Sequence, residues 1–206
     1  MSRSSPFADR ERQDLADTLD RLGPAAPTRC EGWDTAHLAA HLVVRERRPD
    51  ALVGLGAEVT GLGGPVAAWP HRLEDRLRAS TPYDEIVDRL RAGAPVWSPM
   101  AWPGLGEALN TTEFAIHHED VRRAQPDWSP RVLSRADQDA LWGAAGLFAR
   151  RTGAAWRGGL VLRRGDVAGA ERRYGEAGTT VTGEPLELLL WAAGRRDVAV
   201  VTVSSR

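Results

Sequence analysis

The stretch from Leu105 to Ala124, LGEALNTTEFAIHHEDVRRA, reads as the strongest helix in the chain, yet it carries charge in the middle of its apolar face. On a wheel of about 100° per residue with Glu113 at zero, Leu105, Leu109 and Ile116 fall between roughly 280° and 320°. Val121 and Phe114 fall at about 80° and 100°, closing an apolar arc around Glu113, His117 and Asp120 at about 0°, 40° and 340°. His118, Glu119 and Arg122 point to the other side, which predicts a solvated polar face. Burying three ionisable groups without partners would be costly. The chain must therefore supply either a metal ion or a dense hydrogen-bond network at this point.

Glu113 and His117 stand four residues apart, which puts a carboxylate oxygen and an imidazole nitrogen on adjacent turns, close enough to bind one ion. A third ligand must come from another element. The candidates are His37 and His41 on a second predicted helix, TAHLAAHLVVRERR, and His71 on a third. The second helix aligns Arg45 and Arg48 with its two histidines beside Leu38 and Leu42. The pairing Glu-x3-His is by itself a weak signal, since buried polar side chains commonly satisfy one another.

The remaining chain reads as helices first and strands later. Ser5-Pro6 marks a helix start, and that helix runs to about Leu22, before Gly23-Pro24. Asp34 or Thr35 caps the second helix, which Pro49 ends or kinks. Gly54 to Pro65 reads as a loop. Helices follow near residues 67–79 and 82–91, then a Pro- and Trp-rich connector, GAPVWSPMAWPG. Ser134 caps a helix to about Thr152. Beyond it, GLVLRR, ERRYG and TTVTG read as strands, EPLELLLWAAG as a helix and DVAVVTV as a last strand. This pattern predicts a helical bundle over 1–153 and a small α+β extension over 154–206, packed on the bundle. No internal repeat or low-complexity segment is present.

Composition narrows the function classes. The 206 residues carry a formal net charge of -1, which gives no support for nucleic-acid binding. All 27 basic residues are Arg, which GC-rich coding explains more simply than function does. The single cysteine, Cys30, excludes an intramolecular disulfide framework and fits a reducing cytoplasm. No apolar run approaches the roughly 20 residues needed to cross a bilayer, and the N-terminus lacks the apolar core of a signal peptide. The expectation is a cytoplasmic protein without a membrane or nucleic-acid partner.

Three segments carry a family resemblance. CEGWDTAHLAAHL, then NTTEFAIHHEDVRRA about 70 residues later, and VTGEPLELLLWAAGRRD near the end resemble the mycothiol-dependent maleylpyruvate isomerase family, within the DinB-like superfamily. The resemblance implies an antiparallel four-helix bundle with a divalent ion, usually zinc, held by His41, Glu113 and His117. Two histidines and one carboxylate leave coordination positions open, as in catalytic rather than structural zinc sites. Asp120 is then a group behind the metal that orients an imidazole, or alternatively an ion-pair partner of Arg45 or Arg123. His37 is a packed residue or a second such supporting group. Trp33 packs at the start of the second helix, and Cys30 is either a small apolar filler or a partner for a mixed disulfide with a small thiol.

The resemblance further implies an enzyme using a low-molecular-weight thiol such as mycothiol, for isomerisation or S-transfer, on a small carboxylate or electrophilic substrate. Mycothiol belongs to high-GC bacteria, in keeping with the Arg-only composition. Arg45, Arg48 or Arg195 would hold a substrate carboxylate through bidentate hydrogen bonds, with Arg45 and Arg195 the chosen catalytic candidates. Arg195 and Arg196 equally fit a surface turn. Two other readings remain open: a non-catalytic metal- or ligand-binding bundle acting as sensor or scaffold, and a metal-free polar cluster. The C-terminal extension would cover the mouth of the site or pair subunits in a homodimer.

Overall fold

A computed structural model describes residues 7–51, 68–153, 158–176 and 178–205. The expected helix start at Ser5-Pro6 and the Gly-rich loop between Gly54 and Pro65 lie outside the described residues. The chain divides into two compact units, 1–128 and 129–206.

The first unit holds α1 (Phe7–Leu22), α2 (Thr35–Arg47), α3 (Ala68–Ser80), α4 (Tyr83–Ala92), a short 3-10 turn at Pro99–Ala101, and α5 (Leu105–Arg122). Four of these helices build one apolar core. It draws Leu15 and Leu19 from α1, Leu38 and Leu42 from α2, Ile86 and Leu90 from α4, and Phe114 and Val121 from α5. The periodicity of i, i+3, i+4 and i+7 explains why these positions share a face. Cross-helix bonds fix the directions. Arg12 reaches Glu46 while Thr35 reaches the Gly23 carbonyl, so α1 and α2 run antiparallel. Arg45 meets Asn110 and His41 meets Glu113, so α5 is antiparallel to α2 as well.

Local signals set the helix ends. The Asp34 carboxylate accepts the backbone N–H of His37 at 2.9 Å, which satisfies one of the orphan donors at the start of α2. Helix α2 stops at Arg47, just before Pro49. Gly106 is required where α5 meets the 3-10 turn: a Cβ there would sit 2.3 Å from the Met100 carbonyl oxygen.

The expectation of a solvated face on α5 is corrected. His118 and Glu119 are 4% and 0% exposed. Helix α5 packs on α1 with one side and reaches α2 through side chains on the other, so its second polar stripe is also interior. His118 Nδ1 lies 2.9 Å from Glu11 and its Nε2 lies 3.2 Å from Thr18, both on α1. Arg122 and Arg123 bind the Glu119 carboxylate at 2.7 and 2.5 Å. The helical wheel separates faces by polarity, whereas here ion pairing lets a polar face be buried.

In the second unit, α6 (Arg135–Gly153) packs on α7 (Pro185–Ala192), beside a sheet of β1 (Leu160–Arg164), β2 (Glu171–Tyr174), β3 (Thr179–Gly183) and β4 (Thr202–Ser205). The sheet order is β2-β1-β3-β4, with β1 and β3 parallel and the other pairs antiparallel. Ser134 caps α6 as expected, accepting the Asp137 N–H at 3.2 Å. That helix, placed by the sequence pattern at the end of the bundle, belongs to the compact unit of the sheet. Gln138 ties it to α7, accepting the Leu186 N–H at 3.1 Å and donating to Glu184 at 2.7 Å. The last strand begins later than the run DVAVVTV predicts. Val198 and Ala199 still turn back onto the Arg195 carbonyl, and the Val200 N–H donates to Glu187. Only from Thr202 do the groups pair with β3.

Leu15 is fully buried in the four-helix core, whereas Val132 is fully exposed. Leu15→Ala is expected to cost about 2–5 kcal/mol through lost burial and the cavity left behind, and Val132→Ala less than about 0.5 kcal/mol. The midpoints of urea unfolding of the two variants against wild type measure this.

Candidate metal centre

Helices α2, α3 and α5 bring a cluster of ionisable and polar side chains to one point in the first unit. Glu113 Oε1 lies 3.1 Å from His41 Nε2 and 3.3 Å from His117 Nε2. One donor atom from each of these three residues falls within 4.8 Å of the others. Tetrahedral zinc with bonds near 2.0–2.2 Å places its nitrogen and oxygen ligands about 3.4 Å apart, so both Glu113 contacts are at the spacing an ion needs. The two imidazole rings stand 5.5 Å apart at 70°, turning both Nε2 atoms toward the carboxylate.

Each imidazole is held from behind. His41 Nδ1 lies 2.9 Å from Glu74 Oε1, and His117 Nδ1 lies 3.0 Å from Asp120 Oδ2. A carboxylate on Nδ1 fixes the tautomer that presents Nε2 to a metal and raises its basicity. The far oxygen of Glu74 lies 3.1 Å from His71 Nδ1. Glu113 is steadied as well: Arg45 Nε lies 3.6 Å from Oε2 while Arg45 donates to Asn110 at 2.7 Å, and Asn110 donates to the Met100 carbonyl at 3.0 Å. Trp33 packs its ring 5.0 Å from that of His41.

The charges of this cluster are strongly coupled. Burial works against ionising Glu113, but Arg45, His117 and His41 outweigh it and hold the carboxyl well below its usual range. Burial likewise opposes the imidazolium forms. At His41 the hydrogen bonds to Glu113 and Glu74 prevail, and at His117 those to Asp120, Cys30 and Glu113 do, so both values are raised. The lowered Glu113 value and the raised His41 and His117 values share one cause, the close approach of the carboxylate to the two rings.

Of the residues singled out in the sequence, His41, Glu113, His117, Asp120 and Arg45 therefore meet. His37 does not join them: its ring and its backbone N–H both contact Asp34 at the helix cap. Arg48 forms a two-point contact with Asp50. Arg195 lies in the second unit, donating to the Ala193 carbonyl, and Arg196 stacks on Trp191. Glu74 was not singled out. Its signal was present: on α3 it shares the buried face of Pro70 and Leu73, a carboxylate in an apolar stripe like Glu113.

No protein-family model matches the chain, and no curated protein sequence is significantly similar to it. Its fold, however, is shared with solved structures. It superposes on a crystal structure of a histidine-to-alanine variant of the mycothiol-dependent maleylpyruvate isomerase with a TM-score of 0.60, covering 96% of this chain and 90% of that one at 18% identity. A second structure of the mycothiol-dependent maleylpyruvate isomerase gives a TM-score of 0.57 at 18% identity, over 96% and 89% of the two chains. The chain thus has the fold of the mycothiol-dependent maleylpyruvate isomerase structures, mainly helical with a small sheet near the C-terminus.

Proposed function

We propose that this protein is a divalent-metal-dependent enzyme, with zinc the favoured ion, that uses a low-molecular-weight thiol such as mycothiol for isomerisation or S-transfer. The observation that carries this reading is the convergence of His41, Glu113 and His117, with a carboxylate behind each imidazole. A structural site would be closed by a fourth protein ligand; a two-His, one-carboxylate set leaves room for a ligand from solution. The fold shared with a thiol-dependent isomerase supports the choice of co-substrate.

The roles of the residues follow from their contacts. His41 and His117 bind through Nε2, and Glu74 and Asp120 hold those rings in place. Arg45 spends its guanidinium on Asn110 and Glu113, so it acts as a positioning residue for the Glu113 carboxylate rather than as a substrate anchor. Bound there, the ion supplies Lewis acidity, which lowers the pKa of a thiol and keeps it as thiolate. Addition of the thiolate sulfur to an activated double bond, rotation about the resulting single bond, and expulsion of the same thiolate would isomerise a small unsaturated carboxylate. Atoms balance in this cycle because the thiol is recovered.

Purified protein is expected to carry or take up about one zinc at this site, and His41→Ala and Glu113→Ala to lose it, as read by elemental mass spectrometry. Glu74→Gln should keep the fold while weakening zinc affinity about 10- to 100-fold, since it removes only the support of His41. Isothermal titration of mycothiol into the zinc form should show binding that the Glu113→Ala variant lacks. Zinc uptake without thiol binding would reject the enzyme reading in favour of a metal-binding bundle.

The coupled protonation gives a second test with opposite signs. The raised His41 and His117 values contribute stability to the metal-free protein that is full below about 6.5, the unfolded imidazole value, and is lost as pH rises through the folded values. Glu113, whose value is lowered, contributes stability that is present above the unfolded carboxylate range and lost as pH falls through its folded value. Zinc must displace the two imidazole protons, so its affinity should climb about 100-fold per pH unit while both rings are protonated. Thermal melts with and without zinc across this range should show metal-free stability falling as zinc stabilisation grows.

A further inference from the structure

His117 presents its second nitrogen to a different set of donors. Its Nδ1 lies 3.0 Å from Asp120 Oδ2 and 3.7 Å from Cys30 Sγ, and the Cys30 thiol donates to the same Asp120 oxygen at 3.2 Å. Sulfur, nitrogen and oxygen form a triangle separate from the one around Glu113. We propose that Cys30, Asp120 and Nδ1 of His117 form a second binding site for a thiophilic divalent ion such as zinc, joined to the first through the His117 ring.

The spacing is close to what an ion would impose. With zinc–sulfur bonds near 2.3 Å and zinc–nitrogen or –oxygen bonds near 2.0–2.2 Å, tetrahedral angles put sulfur about 3.6 Å from either partner and nitrogen about 3.4 Å from oxygen. The three observed separations differ from these by no more than about 0.4 Å, which small side-chain rotations absorb. Thiolate, imidazole and carboxylate are all accepted zinc ligands, and the thiolate biases the site toward softer ions than magnesium or calcium.

The loop that carries Cys30 is built before any ion arrives. The backbone N–H of Arg29 donates to the Asp120 carbonyl at 2.9 Å, tying the loop to the end of α5 beside the site. Within the loop, the Thr28 hydroxyl donates to the Trp33 carbonyl at 2.8 Å and accepts the Cys30 N–H at 3.1 Å, while the Trp33 N–H donates to the Cys30 carbonyl at 3.0 Å. Gln125 donates to the Pro27 carbonyl at 3.1 Å from beyond the same helix end. The sulfur is thus held over Asp120 by backbone and side-chain bonds in which it takes no part.

Charge also balances. Two divalent ions bring four positive charges. Glu113, Asp120, the Cys30 thiolate and a bridging His117 imidazolate bring four negative ones, with His41 neutral. A half-buried cluster with matched charge avoids the desolvation cost that an unmatched ion would carry. Relative to protein loaded at the first site only, the second ion releases the Cys30 thiol proton and the Nδ1 proton of His117. This inference rests on the reading of the first site only for the shared ring, so the two can be tested apart.

Cobalt(II) titration of the full chain separates them, because cobalt bound to thiolate gives a sulfur-to-metal charge-transfer band in the near ultraviolet. Wild type is expected to take up two equivalents with the band present, Cys30→Ser one equivalent without the band, and Glu113→Gln one equivalent with it. Circular dichroism checks that each variant is folded. A single equivalent without the band, unchanged by Cys30→Ser and lost in Glu113→Gln, would overturn the second site and leave the first standing. A single equivalent with the band, indifferent to Glu113→Gln, would uphold the Cys30 site and remove the first. No uptake by folded wild type would overturn both.

Discussion

The carboxylate of Glu113 faces two imidazoles and a guanidinium inside a bundle of helices, and most of what distinguishes this structure follows from that contact. A carboxylate at such a position must be paired with positive charge or with a metal ion. His41 and His117 reach one oxygen, and Arg45 approaches the other. Each partner then needs its own support. Glu74 and Asp120 stand behind the histidines, and Asn110 holds the arginine. The polar interior grows outward from one oxygen atom until its last members reach backbone carbonyls or the surface.

That growth also determines which helices matter to the site. Helix α5 supplies Asn110, Glu113, His117 and Asp120 on successive turns, α2 supplies His41 and Arg45 one turn apart, and α3 supplies Glu74. The apolar core of Leu15, Leu38, Leu42, Leu90 and Phe114 fixes α1, α2, α4 and α5 against one another, which sets the distance between the α2 and α5 donors. Helix α3 packs on α2, where Glu74 meets His41. The polar cluster on the opposite side of α5, with His118 between Glu11 and Thr18, stiffens the same helix from behind. Pairing of this kind costs little net free energy when complete, and it orients the ring-bearing turn of α5 from both sides.

How much of this was legible in the sequence depends on the residue. Glu113, His117 and Asp120 stood out because charge fell inside an apolar arc, a signal that needs no neighbour to be read. Glu74 carries the same kind of signal, a carboxylate on the buried face of its helix beside Pro70 and Leu73. A helical wheel puts His118 and Glu119 on a solvated face because it carries no information about a second packing partner, yet both are buried. Arg45 is visible in the sequence as polar, but its contacts with Asn110 and Glu113, 65 and 68 positions away, are not.

Local patterning within the chain was enough to determine where most helices begin and end, since caps, prolines and hydrophobic period act over a few residues. It also determined that α5 must bury charge. Tertiary structure alone decided which groups answer that charge. Thr18 and His118 are separated by 100 positions, His41 and Glu113 by 72, and Cys30 and Asp120 by 90. No local rule spans such distances. The physical reason is that helical propensity and capping are short-range, while the pairing of buried charges depends on which helix faces pack together, and the shared core decides that.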